Sequence, residues 1–534
     1  MLSGVTQGSL GIDQEPTESF QILFGQARRF VRFKRKTLSS AEQSALQREC
    51  SIHAATIPFC QEIRDLQSDE NQGTKHRVRT HKTPRGQIAK YAHWIRSGNL
   101  ENLKPIPEED VISALKKIRF PSEIESATQA VIQSSSCPNS TLSWLLGVKT
   151  EEFLPVESAR KTAIQLYEKS IQCSTEINDT ALKVRLRLSL LKIWENDCSA
   201  ALPHLKFLSE HPTSTTDFAP RALFWQYQCG AQLKKSDLSN QSKKELIQRY
   251  PVSLQTVLAQ IDEKTSGPNY SSRSDSPIQM RLANQPLLNQ RVRAIEALIK
   301  LEEPRYAQDL LNQMEQFTDR TPTRFRLYLA ALYFRVDESI HRFKLLSAVF
   351  KEDPELISKS SLELFYPHLS SITTATKVSA LDRMLLLSLI RQESAFNKNA
   401  RSPAGAMGLM QIMPRTARRF FRLRNAKQLY NPNLNLEVGS RYFSNLLRNY
   451  GGDAELALAA YNAGPKRVEE WLKRYPVKDR ALFLDLIPYR ETRDYISSIA
   501  RNYFWYVSLY SDRKTQPFEG RRTLGKVFNL FRSS

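Results

Sequence analysis

Residues 384–416 read MLLLSLIRQESAFNKNARSPAGAMGLMQIMPRT, and the fold turns on how this stretch divides. Leu386, Leu389 and Ile390 recur at the three- and four-residue spacing that places side chains on one helical face. Glu393 follows Ile390 by three positions and Leu389 by four, so it continues that apolar stripe. A carboxylate on a buried stripe loses hydration, and its pKa rises toward the range where it can hold and donate a proton near neutrality. The helix is expected to break around Asn397–Asn399, with Ser402, Pro403 and Gly405 as a turn. A second helix is expected to start near Ala406 and carry Met407, Met410 and Gln411.

Taken alone, a Glu on an apolar stripe is more often a structural carboxylate than a catalytic one. Its surroundings argue otherwise. The run from Glu393 through E-S-A-F to S-P-A-G-A-M-G-L-M-Q-I-M-P-R-T-A resembles the signature of the soluble lytic transglycosylases, enzymes of bacterial peptidoglycan with a goose-type lysozyme-like catalytic domain. Two further blocks follow in the family's order: A-L-A-A-Y-N-A-G-P-K-R-V at 457–468 and I-P-Y-R-E-T-R-D-Y at 487–495. Three ordered blocks are far more specific than one short motif. The resemblance covers roughly residues 366–510. One departure touches a turn: Asn431-Pro432 and Asn435-Leu436 stand where the family often has Asp-Pro and Asn-Ile.

The resemblance implies a one-acid mechanism. Glycosidases commonly use two carboxylates, and here Glu437, Asp453 and Glu455 are expected in turns or on polar helix faces. Glu393 would protonate the bond between N-acetylmuramic acid and N-acetylglucosamine, then act as base on the muramyl C6 hydroxyl to close a 1,6-anhydro ring. Position by position, Ser402 matches the serine near the acid. Met410, Gln411 and Met413 match residues lining sugar subsites, and Tyr461 with Asn462 matches the Tyr-Asn pair, Tyr461 being expected to reach the substrate's acetamido group or the acid. Glu491 matches a cleft glutamate, with Arg493 expected to pair with it or with a substrate carboxylate. The competing readings are a hydrolytic muramidase and a wall-binding scaffold without activity.

A net charge of +22 over 534 residues favours a polyanionic partner. Residues 401–534 alone hold 24 Lys/Arg against 11 Asp/Glu. The expected partner is the glycan strand with its peptide stems; contact of basic patches with a membrane or with wall anions is a second use, and no nucleic-acid module is recognisable. No apolar run approaches the roughly 18–20 residues needed to span a bilayer. Cys50, Cys60, Cys137, Cys173, Cys198 and Cys229 have no metal-ligand spacing. They read as buried apolar residues rather than a disulfide framework, with Cys173–Cys198 an example of a pair that could bridge in an oxidising compartment. No metal and no cofactor are expected, and the protein is expected to be a monomer.

Outward from the opening stretch, helical periodicity dominates. Segments at 158–172, 180–195, 220–233, 290–301, 304–316, 322–334 and 339–350 all carry it. The expectation is an all-α chain. A disordered leader (1–19) precedes an α-superhelical, solenoid-like domain (20–365) with loops near 64–86 and 264–277; a lysozyme-like catalytic domain (366–510) and a basic tail (511–534) follow. Within 20–36, phenylalanines interleave with bases and read as a first helix. Residues 1–19 lack a signal-peptide pattern, although the resemblance implies a periplasmic or envelope location. Tyr250-Pro251 and Tyr366-Pro367 fall where long family members have Tyr-Pro turns.

Overall fold

Apolar side chains at three- and four-residue spacing become helices almost throughout the described residues. The computed structural model describes residues 85–97, 107–261, 279–367 and 381–510, apart from 119, 135–136, 138–139, 175–176, 212–217 and 319. Among them are 22 α-helices and no strand, so the all-α expectation holds. The leader 1–19, the stretch 20–36, the loop 264–277 and the tail 511–534 lie outside the described residues. So does the loop near 64–86 as far as residue 84; Arg85 already opens a helix. The chain forms two compact units, one of residues 83–276 with 346–534, the other of 1–82 with 277–345.

In the larger unit, helices α1 (Arg85–Ser97), α2 (Glu108–Leu115), α3 (Pro121–Gln133) and α4 (Ser140–Phe153) share one core. Ile95, Ile118, Ile124, Val131 and Leu142 are fully buried in it, each such side chain stabilising by about 1.5–3 kcal/mol. Then come α5 (Val156–Gln172), α6 (Asp179–Trp194), α7 (Cys198–Glu210), α8 (Ala219–Gln232), α9 (Ser236–Arg249) and α10 (Leu254–Ile261). From α4 to α10 each helix packs on its successor. Side-chain caps fix where α6 and α7 begin: Asn178 Oδ1 accepts from the Ala181 amide at 3.0 Å, and Asp197 Oδ1 from that of Ala200 at 2.9 Å.

The cysteine expectation is corrected. Cys137 pairs with Cys173 and Cys198 with Cys229. Each bridge closes a helical hairpin: Cys137, just before α4, meets Cys173, just after α5, and Cys198 at the start of α7 meets Cys229 on α8, with Cα atoms 5.2 and 5.3 Å apart. Cys173 and Cys198 are therefore both bonded, but to other partners. Closing a 31-residue loop is worth about 3–4 kcal/mol on chain-entropy grounds. Replacing Cys198 and Cys229 by alanine together should lower the calorimetric Tm under oxidising conditions, and reductant should bring the wild type down toward the variant. Identical melting of the two without reductant would show that packing alone holds the α7–α8 hairpin.

The smaller unit, where described, holds α11 (Pro286–Lys300), α12 (Pro304–Thr318), α13 (Thr323–Arg335) and the start of α14 (Ile340–Glu352). Its core buries Glu296, whose carboxylate takes a bidentate pair of hydrogen bonds from Arg281 at 2.7 and 2.6 Å and a third from Tyr328.

Back in the larger unit, α15 (Lys359–Phe365) leads to Tyr366 and Pro367. That dipeptide receives the end of the chain's last described helix: Tyr510 Oη donates to the Tyr366 carbonyl at 2.7 Å and Tyr506 Oη to that of Pro367 at 3.2 Å. The remaining helices are α16 (Arg383–Ser394), α17 (Pro414–Ala417), α18 (Pro432–Asn449), α19 (Ala454–Ala463), α20 (Pro465–Arg474), α21 (Arg480–Leu486) and α22 (Arg490–Tyr510). Two arginines lock the early hairpins to this group. Arg187 on α6 grips Glu151 on α4 at 2.6 and 3.0 Å and donates to the Leu486 carbonyl and Tyr475 hydroxyl, each at 2.8 Å. Arg221 on α8 pairs with Asp485 on α21, whose other oxygen accepts from Trp225 Nε1 at 2.7 Å. Breaking one such buried pair costs about 3–5 kcal/mol, because the partner charge is left without compensation.

Candidate active site

Helix α16 starts on Asp382, whose Oδ1 accepts from the amides of Met384 at 2.7 Å and Leu385 at 3.0 Å. It buries Leu386, Leu387, Leu389 and Ile390. Glu393 lies one residue before its end. The break comes at Ala395 and Phe396, earlier than Asn397, with φ of 47° and 68°. Two consecutive left-handed non-glycine residues cost of order 1 kcal/mol or more each, and such strain clusters at functional sites.

Glu393 keeps one edge open to solvent, yet packed protein strips most of its hydration. That burial raises its pKa to about 7, against a smaller lowering by one hydrogen bond. The bond is a short one: Tyr495 Oη on α22 donates to Glu393 Oε1 at 2.5 Å. Tyr495 closes the third sequence block but was not singled out by it. The signal available was its place on α22, three residues past the buried Thr492 and so on the same helical face.

The stretch after Ser402 is not the second helix expected from Ala406. It is a tight loop, 401–413, with isolated β-bridges Arg401–Met407 and Met407–Ile412. Gly405 at φ 91°, Gly408 at φ 79° and Gln411 at φ 47° leave no run of helical backbone, and helix resumes only at Pro414. Ser402 Oγ braces the loop by accepting from the Ala406 amide at 3.0 Å. Gln411 Nε2 donates to the carbonyls of Gly408 at 2.9 Å and Ala400 at 3.2 Å. Met410 is fully buried against Gly439 of α18, where a Cβ would stand 2.4 Å from its sulfur. Met407 is buried as well, whereas Met413 is 39% exposed.

Asn435, the first residue of the Asn-Leu departure, holds this loop from α18. Its Oδ1 accepts from the Met410 amide, and its Nδ2 donates to the carbonyls of Met407 and Leu429, all at 2.8 Å. Tyr461 on α19 completes the wall: its hydroxyl donates to the Met410 carbonyl at 2.7 Å rather than to the acid. Glu393 lies close enough that, after burial, its charge is the next cause holding the Tyr461 phenol well above its ordinary pKa. Asn462 Oδ1 accepts from Thr492 Oγ1 at 2.7 Å, tying the second block to the third. Glu491 is exposed on the first turn of α22. Arg493 does not meet it; its guanidinium donates to the Ile487 and Pro488 carbonyls.

Glu455 departs from its expected place on a polar face. It is 5% exposed, and burial, with Asp453 next, pushes its carboxyl well above the usual range. Asp453 in turn pairs with Arg480 at 2.9 Å and caps α19 through the Leu456 amide. Glu455 is thus buried at the start of α19, beside Asp453. A cavity of about 1370 Å³ lies along the other face of α22, bordered by Arg493, Ser497, Arg221, Glu151 and Trp471. Glu393 is not part of its lining.

Residues 370–484 match the family described as Transglycosylase SLT domain. Soluble lytic murein transglycosylase of Salmonella typhimurium is 37% identical over 134 residues, which is 24% of this chain and 21% of the relative. That of Escherichia coli K12 is 35% identical over 136 residues, with the same shares. Membrane-bound lytic murein transglycosylase C of Glaesserella parasuis is 33% identical over 111 residues, 18% of this chain and 30% of the relative. The matched segment therefore spans between a fifth and a third of these relatives' length. Two solved structures are similar in fold to this chain. The 70-kDa soluble lytic transglycosylase of Escherichia coli superposes with a TM-score of 0.50 at 17% identity, over 82% of this chain and 75% of that one. An inactive glutamate-to-glutamine mutant of the lytic transglycosylase Slt from Pseudomonas aeruginosa gives 0.52 at 18%, over 86% and 76%.

The fold and the three blocks thus define an all-α chain built like the long soluble lytic transglycosylases. Residues 370–484 are similar to the transglycosylase SLT domain.

Proposed function

We propose that this chain is a peptidoglycan lytic transglycosylase with residues 366–510 as its catalytic domain and Glu393 as its single acid and base. The observation that carries the reading is a carboxyl group that keeps one edge open to solvent while burial raises its pKa to about 7. Such a group is protonated often enough near neutrality to protonate a glycosidic oxygen, and once ionised it can take a proton back. In the forward step the Glu393 proton goes to the oxygen leaving muramyl C1. In the second step the carboxylate takes the proton of the muramyl C6 hydroxyl as that oxygen bonds to C1, which closes the 1,6-anhydro ring and restores the acid. No water is consumed.

Tyr495 positions the acid through its hydrogen bond to Oε1, leaving the other oxygen for the substrate. Ser402, Met410, Gln411 and Asn435 shape the loop that forms one wall; Met413, Tyr461, Asn462 and Glu491 border it. The two disulfides support maturation in an oxidising compartment, in keeping with a periplasmic site of action. No helix among the described residues is long and apolar enough to cross a membrane.

Mass spectrometry of digested sacculi tests the reaction. Anhydromuropeptides are expected; muropeptides with reducing ends would move the assignment to a muramidase. The pH profile tests the acid. Because the acid form is required first, kcat/KM should fall as pH rises through about 7. The Tyr495 bond favours the ionised form, so Tyr495→Phe should move that falling limb to higher pH and lower kcat about tenfold, with KM little changed. A limb that stays in place or moves to lower pH would mean that Glu393 is not the titrating group.

A further inference from the structure

Between Glu393 and Glu437 the chain carries eight Lys/Arg residues and no Asp or Glu. All eight, from Lys398 and Arg401 through Arg415 to Lys427, are exposed. None takes part in a salt bridge among the described residues, and Glu437, the first acid to follow, is already paired with Arg441 at 2.8 Å. A solvated surface ordinarily interleaves both signs. Here the five arginines 415, 418, 419, 422 and 424 crowd into ten residues directly after the candidate active-site loop. The strip borders that site through a chain of rings: Phe420 to Tyr442 at 5.8 Å, then Tyr442 to Tyr461 at 5.2 Å. Tyr461 in turn bonds the Met410 carbonyl of the loop.

We propose that residues 398–427 form a strap along the cleft that binds free carboxylates on the peptide stems of the glycan strand, so that the chain distinguishes stems by their charge. The inference rests on the function proposed above, since it takes the cleft to hold a wall strand. A neutral glycan gives nothing to meet eight cations that have no salt bridge among the described residues. Carboxylates repeating along the strand, each a short reach from the sugar backbone, match a line of guanidiniums beside the cleft. Phe421 and Met413, at 38% and 39% exposure, are too few to anchor the strap in lipid, which favours the stems over a membrane surface.

The test uses the full chain and a variant carrying Arg415→Gln, Arg418→Gln and Arg422→Gln, whose unchanged melting confirms folding. Two substrates are compared: glycan strands with free stem carboxylates, and the same strands with those carboxylates amidated. At low salt the variant should show a KM about tenfold higher on free-carboxylate strands with kcat unchanged, as expected when rim charges are removed. Wild type on amidated strands should already behave like the variant. The difference should vanish near 1 M salt, where the screening length is about 3 Å. Equal handling of both substrates by wild type would overturn the proposal. So would loss of sedimentation with anionic lipid vesicles in the variant while its KM stays put, which would assign the strap to a membrane. Sedimentation with the two strands reads the strap without turnover. Carboxylate-dependent sedimentation from a protein that makes no product would uphold the strap and overturn the reaction; sedimentation indifferent to the carboxylates would overturn the strap.

Discussion

Glu393→Gln is expected to abolish turnover of sacculi, with at least a thousandfold loss in kcat, while leaving sacculus binding intact and making the protein more stable above neutral pH. The two effects share one cause. Burial raises the Glu393 pKa from its ordinary 4.5 to about 7. Between those values the folded chain holds a proton that the unfolded chain has released. The stability this provides is complete below about pH 4.5 and is lost as pH rises through about 7. Glutamine has nothing to ionise and can still accept the Tyr495 hydrogen bond through Oε1. The stability curves of variant and wild type should therefore coincide in acid and separate as pH rises, by up to about 3 kcal/mol above pH 7 at 1.36 kcal/mol per unit. Urea denaturation at pH 5 and pH 8 measures the gap. A variant that loses activity but shows the same pH dependence of stability as wild type would mean that Glu393 is well hydrated. The proposed mechanism would then lose its acid. The combination is informative because a merely structural carboxylate, held by an ion pair, would behave the other way and destabilise the protein on neutralisation.

Reading the acid from the sequence was possible because a helix writes its buried face locally. Leu386, Leu389, Ile390 and Glu393 lie within eight residues, and their spacing alone implies a desolvated carboxylate. Most other helices were legible for the same reason: the periodic segments at 158–172 and 304–316 match α5 and α12 to within two residues at either end. What surrounds the acid is written elsewhere. Tyr495 is 102 residues away, and nothing near Glu393 announces it. Residues 406–413 carry apolar side chains at helical spacing, yet the backbone is turned out of the helix by Gly405, Gly408 and Gln411 and held there by Asn435 on α18. Glycine spacing hinted at this; the hydrogen bonds that decide it are not local. Glu455 misled in the opposite direction. An acid two residues past a helix-capping Asp453 reads as part of a solvated first turn, but α19 enters the core at its start and takes Glu455 with it. Nor does spacing pair the cysteines, because partners are chosen by which helices share a hairpin.

Asn435→Ala should be among the most destabilising single changes in the domain. Asn435 is fully buried on α18, and its amide bonds three backbone groups: the Met410 N–H and the Met407 and Leu429 carbonyls. Alanine would take this partner from the Met410 N–H and the Leu429 carbonyl in a site too tight to admit much water, while the Met407 carbonyl would keep the Ile412 N–H at 3.0 Å. Each buried polar group left unsatisfied costs about 1–3 kcal/mol, so a loss of about 2–5 kcal/mol is expected from the two. Asn435→Asp should recover little, since it keeps the acceptor for Met410 but removes both donors and adds a buried charge. The catalytic effect should follow the loop. Tyr461 is fixed by the Met410 carbonyl, so displacement of Met410 frees the aromatic wall beside Glu393, and kcat should fall about a hundredfold even where the protein remains folded. Gly408→Ala offers an independent route to the same contact. Its Cβ would sit 2.3 Å from both Asn435 Nδ2 and the Leu429 carbonyl, on a backbone at φ 79° that disfavours any side chain. Both variants should lower stability and kcat together, while substitutions on the exposed face of α18 should change neither. If Asn435→Ala melts within about 1 kcal/mol of wild type and keeps its kcat, the loop holds its shape through its own glycines and bridges. Asn435 would then be a bystander rather than the clasp of the active-site wall.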